Sequence, residues 1–242
     1  MPTIEFKVIE EFKDSILNPI PANKAIPEWY KKMSKSVYSK EQDPKRFNVA
    51  MDSEGLGRGG HTIKECPPIR DYLCSGYIIP LWTDLLVGKK DDTEIFSWPD
   101  GDYEWVKGHP FEQVKGSVLV EEMRGNSGIN KLNSPWYIKT PPGYSCLFFS
   151  PRYHKKKIDI LPGIVDTDVY HEINFPFFYR GEDRDMIARG EPVIQLLPFK
   201  RENWDHKITV MDPIEIKKSQ LTLLTFWGGA YKKLFHKKKV FR

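Results

Sequence analysis

Two aspartates with a spacing suited to chemistry lie in the third quarter of the chain. Asp166 and Asp168 belong to the run GIVDTD, and Glu172 follows shortly after it. In an extended segment, side chains two positions apart point to the same side, so both carboxylates face one way. Such a pair could bind a cation or act as a base whose pKa its neighbour raises. The alternative, which we favour, is a turn in which the Asp side chains accept hydrogen bonds from backbone amides.

Other residues that could do chemistry give weaker patterns. His171 stands directly beside Glu172, which is not the His-x-Asp spacing of an Fe(II) facial triad. Cys146 lies in an apolar run, so packing in the core is favoured over a nucleophilic role. The glycine-rich run GLGRGG at 55–60 lacks the Lys-Ser/Thr ending of a phosphate-binding loop. The spacing of the cysteines also predicts no metal site.

The elements that must position these residues are mostly short strands. The chain contains 19 prolines and 17 glycines, which punctuate short apolar runs and favour a mainly β fold with many loops. We predict a single domain over 1–242, with an N-terminal arm and loop at 1–60, a β core at 61–202 and a C-terminal segment at 203–242. Predicted strands include 77–81, 95–98, 103–106, 136–139, 144–149, 163–165, 173–179 and 192–197, and a helix is predicted over 220–236.

Charge and composition limit the classes of partner. The net charge is +4, and lysines crowd the last 26 residues. We interpret them as a solvated helix face rather than a nucleic-acid contact. No run approaches the roughly 20 apolar residues of a membrane helix, so a membrane partner is not expected. Three cysteines without a metal or disulfide pattern are typical of a reducing compartment.

Three segments resemble motifs of the dUTPase and dCTP-deaminase superfamily, in the order in which that family has them. GIVDTD followed by Glu172 resembles the third motif, GEPVIQL at 190–196 the fourth, and Pro151-Arg152 part of the second. The resemblance implies a β-clip-like (dUTPase-like) core and a homotrimer with nucleotide bound between subunits. It implies that Asp166 activates water, with Mg²⁺ as cofactor, and that the ligand-binding residues are Arg152, Asp168, Tyr170 and Gln195. The family's upstream metal-binding Asp motif and glycine-rich phosphate-closing tail have no counterpart in this sequence.

The whole chain is also similar to a group of functionally uncharacterised phage and bacterial proteins. The shared run includes Asn133-Ser134-Pro135-Trp136, the sequence PPGY at 141–144 and GIVDTD, and the N-terminal prolines and lysine-rich end resemble a version from marine tailed phages. This resemblance implies a location in the host cytoplasm, or alternatively in the virion, and a phage assembly partner.

Two hypotheses for the function follow. The first is a phage-encoded, non-catalytic structural, assembly or ligand-binding protein that self-associates and needs no certain cofactor. The second is a divergent nucleotide hydrolase that uses an Asp-activated water. Because the catalytic groups are incomplete, we favour the first.

Overall fold

The chain is mainly β. The computed structural model describes residues 1–35, 62–90, 93–99, 103–122, 128–225 and 231–241. The backbone forms two compact units. The first, which we call the β unit, combines Met1–Ala25 with Gly76–Glu202, and the second unit combines Ile26–Ser75 with Asn203–Arg242. The division into two compact units does not test whether the chain is a single domain, so that stays a prediction.

Thirteen strands lie in the described β unit. In chain order they are β1 Glu5–Lys7, β2 Ile20–Pro21, β3 Tyr77–Pro80, β4 Leu85–Lys90, β5 Thr93–Ser97, β6 Val106–Pro110, β7 Gly128–Lys139, β8 Tyr144–Phe149, β9 Ile158–Ile160, β10 Gly163–Val165, β11 Glu172–Tyr179, β12 Asp185–Ile187 and β13 Pro192–Lys200. A four-residue helix at Leu119–Glu122 lies between β6 and β7.

The strands form three antiparallel sheets. One sheet has the order β1-β7-β11-β9, with β6 also paired to β7. The second has the order β10-β8-β13-β3-β2, and the third has the order β12-β4-β5. Strand β8 lies between β10 and β13 and pairs with both. The residues that follow β10 and the residues that follow β13 are therefore brought to the same end of β8.

Apolar side chains from all three sheets share one core. Phe148 of β8 and Phe175 of β11 have ring centroids 5.4 Å apart, which joins the first two sheets. Phe96 of β5 meets Phe177 of β11 edge-on at 5.6 Å, which joins the third. Phe175 and Phe177 are almost fully buried. Burying one such ring contributes about 1.5–3 kcal/mol, so these contacts fix how the sheets pack.

The second unit contains helices and irregular segments in its described residues. Its helices are Glu28–Lys32, Pro67–Cys74 and Pro213–Thr225, followed by a π-helical turn at Tyr231–Phe235. The helix at Pro67 begins with prolines in its first turn, a position where a missing N–H costs nothing. No described helix is long and apolar enough to cross a membrane.

The prediction of a mainly β chain with a C-terminal helix is confirmed, but several details differ. The predicted hairpin of 95–98 with 103–106 is wrong, because β5 pairs with β4 and β6 pairs with β7. Strands β7 and β8 follow one another but belong to different sheets. The C-terminal helix begins at Pro213 instead of 220. The run GLGRGG and most of the predicted loop around it lie outside the described residues.

Candidate functional site

The two aspartates lie in a tight turn directly after β10. The N–H groups of Val169 and Tyr170 both donate to the carbonyl of Asp166 at 2.9 Å. The side chain of Thr167 points into the core, where its hydroxyl lies 2.7 Å from the hydroxyl of Thr140. The turn therefore has one buried anchor, Thr167, between two carboxylates that lie toward the surface.

Asp168 is held by three hydrogen bonds. The Gly143 N–H donates to its Oδ2 at 2.8 Å, and Arg201 donates to Oδ1 at 2.9 Å and to Oδ2 at 2.5 Å. Its side chain is only 7% exposed. A bidentate guanidinium–carboxylate pair fixes both distance and orientation, so Asp168 is locked in place.

Asp166 contacts the same guanidinium and one hydroxyl. Its Oδ1 lies 3.1 Å from Nη1 of Arg201 and accepts a hydrogen bond of 2.6 Å from the Ser145 hydroxyl. In contrast to Asp168, its side chain is 61% exposed. We call Asp166, Asp168, Ser145 and Arg201 the arginine cluster.

The backbone geometry brings Arg201 to both aspartates. Pro142-Gly143 forms the centre of a turn in which the Tyr144 N–H donates to the Pro141 carbonyl, with Gly143 at φ +83°. This is a type II turn, in which glycine supplies the positive φ. The Arg201 N–H donates to the Gly143 carbonyl at 2.8 Å. Arg201 thus ties the end of β13 to this turn.

Electrostatics within the cluster favour the ionised carboxylate of Asp168. The hydrogen bonds from Arg201, and secondarily the one from the Gly143 N–H, lower the pKa of Asp168 to about 2. In turn, the hydrogen bonds with Asp168 raise the pKa of Arg201. Opposite charges and donated hydrogen bonds both stabilise the charged form. A carboxylate held in this way is a weak base and acts as an anchor.

The predicted site residues fall into two groups within one chain. Asp166, Asp168 and Tyr170 share the turn, and Tyr170 is more than half exposed. Gln195 is buried in β13 opposite Phe149 at one end of β8, whereas Ser145 lies four residues away along that strand. That separation is about 13 Å at 3.3 Å per residue.

Arg152 belongs to the second group. It is exposed and follows β8 beyond Phe149, so it leaves the end of that strand that is farther from Ser145. The chain by itself does not bring Arg152 and Gln195 to Asp166.

The described residues give little support for a nucleophilic cysteine or a metal site. Cys146 is fully buried, accepts a hydrogen bond from the Thr167 hydroxyl at 3.3 Å, and has its pKa raised by burial. An inert core thiol has these properties. Within the described ranges, no three His, Cys, Asp or Glu side chains are grouped as a metal site.

Sequence reasoning did not identify Arg201 or Ser145. Arg201 lies 33 residues beyond Asp168, just after the end of a strand. The one sequence feature that pointed to Arg201 was a cationic residue just after a predicted strand. Many other lysines and arginines in this chain have the same feature, so it could not single out Arg201. The pairing of β13 with β8 was needed to select it.

Comparisons with known proteins give a fold-level likeness alone. No family profile matches the chain, and no curated protein matches it. Solved structures that match include the native dUTPase of EIAV, at 15% identity and TM-score 0.31, covering 56% of this chain and 87% of that one. A mutant dUTPase from phage phi11 of S. aureus matches at 12% identity and TM-score 0.31, covering 58% and 85%. A mutant dUTPase of Staphylococcus bacteriophage 80alpha matches at 11% identity and TM-score 0.35, covering 87% and 90%.

Proposed function

We propose that this chain is a non-catalytic, self-associating scaffold or binding protein built on its β unit. The observation that carries the proposal is the engagement of both aspartates by Arg201. A water-activating carboxylate needs a free lone pair aimed at water and a pKa suited to accepting a proton. Asp166, the carboxylate expected to activate water, has Oδ1 engaged by the Ser145 hydroxyl and by Arg201. Asp168 is nearly buried, its pKa is lowered, and its role is to join three loops.

An exposed apolar arm supports self-association. Residues 203–212 lie outside helices and strands and read NWDHKITVMD. Trp204, Ile208 and Val210 stand at even positions and are 87%, 92% and 99% exposed, whereas Met211, at an odd position, is 52% exposed. Alternating apolar residues are the pattern of a half-buried strand. A segment of this kind can add a strand to a sheet edge of a second copy.

A sheet edge that could receive the arm is present in the β unit. Among the described strands, β10 pairs with β8 alone and stands at the end of its sheet. Its central residue, Ile164, is 64% exposed. Unpaired edges are templates for pairing with another chain. This surface and the arm together support a homo-oligomer, for which we propose a trimer.

The test of the non-catalytic role is a turnover assay. The purified protein would be incubated with each deoxynucleoside triphosphate and Mg²⁺, and released pyrophosphate, phosphate and deaminated base would be measured. We expect no turnover above the buffer control. Turnover by the wild-type protein that Asp166→Asn abolishes, while the melting temperature is kept, would overturn the proposal.

The second candidate, a divergent nucleotide hydrolase, has one observation in its favour. Asp166 is well exposed, in contrast to its partner Asp168. In an oligomer, a neighbouring copy would have to supply the exposed Arg152 near this carboxylate, since Gln195 is buried within its own chain. Under this candidate, activity would depend on protein concentration as the oligomer forms.

A further inference from the structure

A cavity of about 660 Å³ lies in the second unit and shares no lining residue with the arginine cluster. Part of its wall is formed by residues 26–35 and 64–70, and the rest by residues 232–238. The lining includes apolar groups, among them Ile26 and Pro67, and a set of cationic side chains. The cations are Lys31, Lys35, Lys64, Arg70, Lys232 and Lys238.

Positive charge dominates this cavity. Glu65 is the one carboxylate among the described lining residues, against six cations. Among the described residues, three carboxylates pair with groups of the wall, because Glu65 lines it, Glu28 pairs with Lys31 at 2.7 Å and Asp71 pairs with His236 at 3.0 Å. Asp71 also pairs with Lys239. Within this described part of the chain, seven cations therefore stand against three carboxylates, an excess of four positive charges.

Several of these groups are fixed in position. The Lys64 ammonium donates to the carbonyls of Lys31 and Met33, at 2.5 and 2.9 Å, which ties two segments of the wall together. Glu65 is shared between Lys232 at 2.8 Å and Lys35 at 4.0 Å. Charges that are already ordered lose little side-chain entropy when a ligand binds.

The shape of the cavity favours a small ligand over a nucleic-acid strand. Its volume lies within the 300–1,000 Å³ typical of small-molecule sites. Two aromatic rings are among its lining side chains. Tyr30 is only 5% exposed and donates to the Lys64 carbonyl at 3.2 Å, and His236 has a side chain 16% exposed and pairs with Asp71, so neither offers an open face for stacking bases. Single-strand binding sites rely on such faces.

We propose that this cavity binds a small polyanion that carries linked phosphate groups, with the charge on the phosphates as the main determinant. The proposal is independent of the non-catalytic role proposed for the β unit. Lys232 and Lys238 would contact the phosphates from the C-terminal segment, and Arg70 from the helix Pro67–Cys74. Clustered cations in a concave site attract multiply charged anions more strongly than singly charged ones.

The test is isothermal titration calorimetry with the full chain and four probes: inorganic tripolyphosphate, ATP, adenosine and a single-stranded oligo(dT). We expect tripolyphosphate and ATP to bind and adenosine not to bind. Binding of tripolyphosphate as tight as that of ATP would identify the phosphates alone as the ligand. Binding of ATP that is ten times tighter would mean that the nucleoside contributes and would contradict the phosphates as the main determinant. No binding of tripolyphosphate, or binding of oligo(dT) alone, would overturn the proposal.

A matched pair of double variants separates this site from general surface charge. Lys232→Gln with Lys238→Gln removes two lining cations, whereas Lys233→Gln with Lys237→Gln removes two exposed cations of the same segment that do not line the cavity. The first pair should weaken tripolyphosphate binding about tenfold, and the second less than threefold, at low salt. Equal weakening by both pairs would mean binding to the surface charge as a whole and would refute the site.

Cys66 provides a second measurement on the unmodified chain. It lines the cavity and is partly exposed, whereas Cys74 and Cys146 are buried and have raised pKa values. Cys66 should therefore be the first thiol to react with a small maleimide. Saturating tripolyphosphate should slow this reaction several-fold. An unchanged rate while calorimetry detects binding would place the ligand elsewhere and overturn the proposal.

Discussion

At the scale of single residues, the most consequential side chain is Arg201. It donates to Asp168 through two nitrogens and also to the Tyr144 carbonyl and the Ser145 hydroxyl. We predict that Arg201→Gln lowers the melting temperature by about 5 °C, because charged hydrogen bonds are lost and Asp168 keeps an unpaired charge. The melting temperature of Arg201→Lys should lie between those of wild type and Arg201→Gln, because an ammonium keeps the charge but cannot reproduce the bidentate geometry.

The neighbouring Lys200 provides the control. It pairs with Glu202 at 2.9 Å on the surface, and its side chain is well exposed. Exposed ion pairs contribute little, so Lys200→Gln should change the melting temperature by less than about 2 °C. Equal effects of the two substitutions, measured by differential scanning calorimetry, would show that the arginine cluster has no anchoring role.

The pKa of Asp168 predicts how stability depends on pH. Because Arg201 and the Gly143 N–H lower this pKa from 3.8 to about 2, the contribution of Asp168 is complete above about pH 4. It is lost as the pH falls toward 2, where the folded form also takes up the proton. We expect Asp168→Asn to be less stable than wild type at pH 7, and the difference to shrink between pH 4 and pH 2.

This prediction is checked by urea denaturation at a series of pH values. Glu112→Gln, which removes an exposed carboxylate of the same unit, is the control and should show no comparable change in that window. A difference between wild type and Asp168→Asn that stays constant from pH 7 to pH 2 would contradict the assigned pairing.

At the scale of elements, Gly76 controls the entry into β3. It has φ +72°, and a Cβ there would lie 1.9 Å from the carbonyl oxygen of Leu196 in β13. Gly143 also has a positive φ, +83°, but open space around it. We predict that Gly76→Ala costs about 3 kcal/mol or more, because strain and a backbone clash add together. Gly143→Ala should cost only about 1 kcal/mol.

The comparison of the two alanine variants isolates the clash, since both carry the cost of positive φ. Chemical denaturation would give both free energies of unfolding. If Gly76→Ala were no worse than Gly143→Ala, the close approach of β13 to Gly76 would be wrong.

The sequence predicted those elements whose backbone conformation is set by neighbouring residue types. The turn at Pro142-Gly143 and the short strands around it follow from residue types that permit few alternatives. The helix start at Pro213 was missed, since the predicted helix began at 220, although Asp212 caps the Ile214 N–H and Pro213 occupies the first turn. The pairing of β6 with β7, and the selection of Arg201 by the two aspartates, depend on partners that are distant in the sequence. No local pattern encodes such contacts.

At the scale of the whole molecule, the exposed arm at 203–212 is hard to reconcile with an isolated chain. Trp204, Ile208 and Val210 present large apolar surfaces to solvent. Soluble monomers rarely expose clustered apolar groups without a partner, because covering each one contributes about 1.5–3 kcal/mol. We therefore predict a homo-oligomer at micromolar concentration, with the arm covered by a second copy.

The decisive variant is Val210→Asp, with Thr209→Asp as its matched control. Both add one negative charge at adjacent, exposed positions, so neither should unfold the monomer. Since successive residues of a strand face opposite sides, only Val210→Asp should enter the interface. It should raise the dissociation constant at least tenfold, whereas Thr209→Asp should leave it nearly unchanged. Light scattering across a concentration series would measure both. A wild-type monomer, or equal effects of the two substitutions, would mean that the arm does not join copies and that the scaffold role lacks its physical basis.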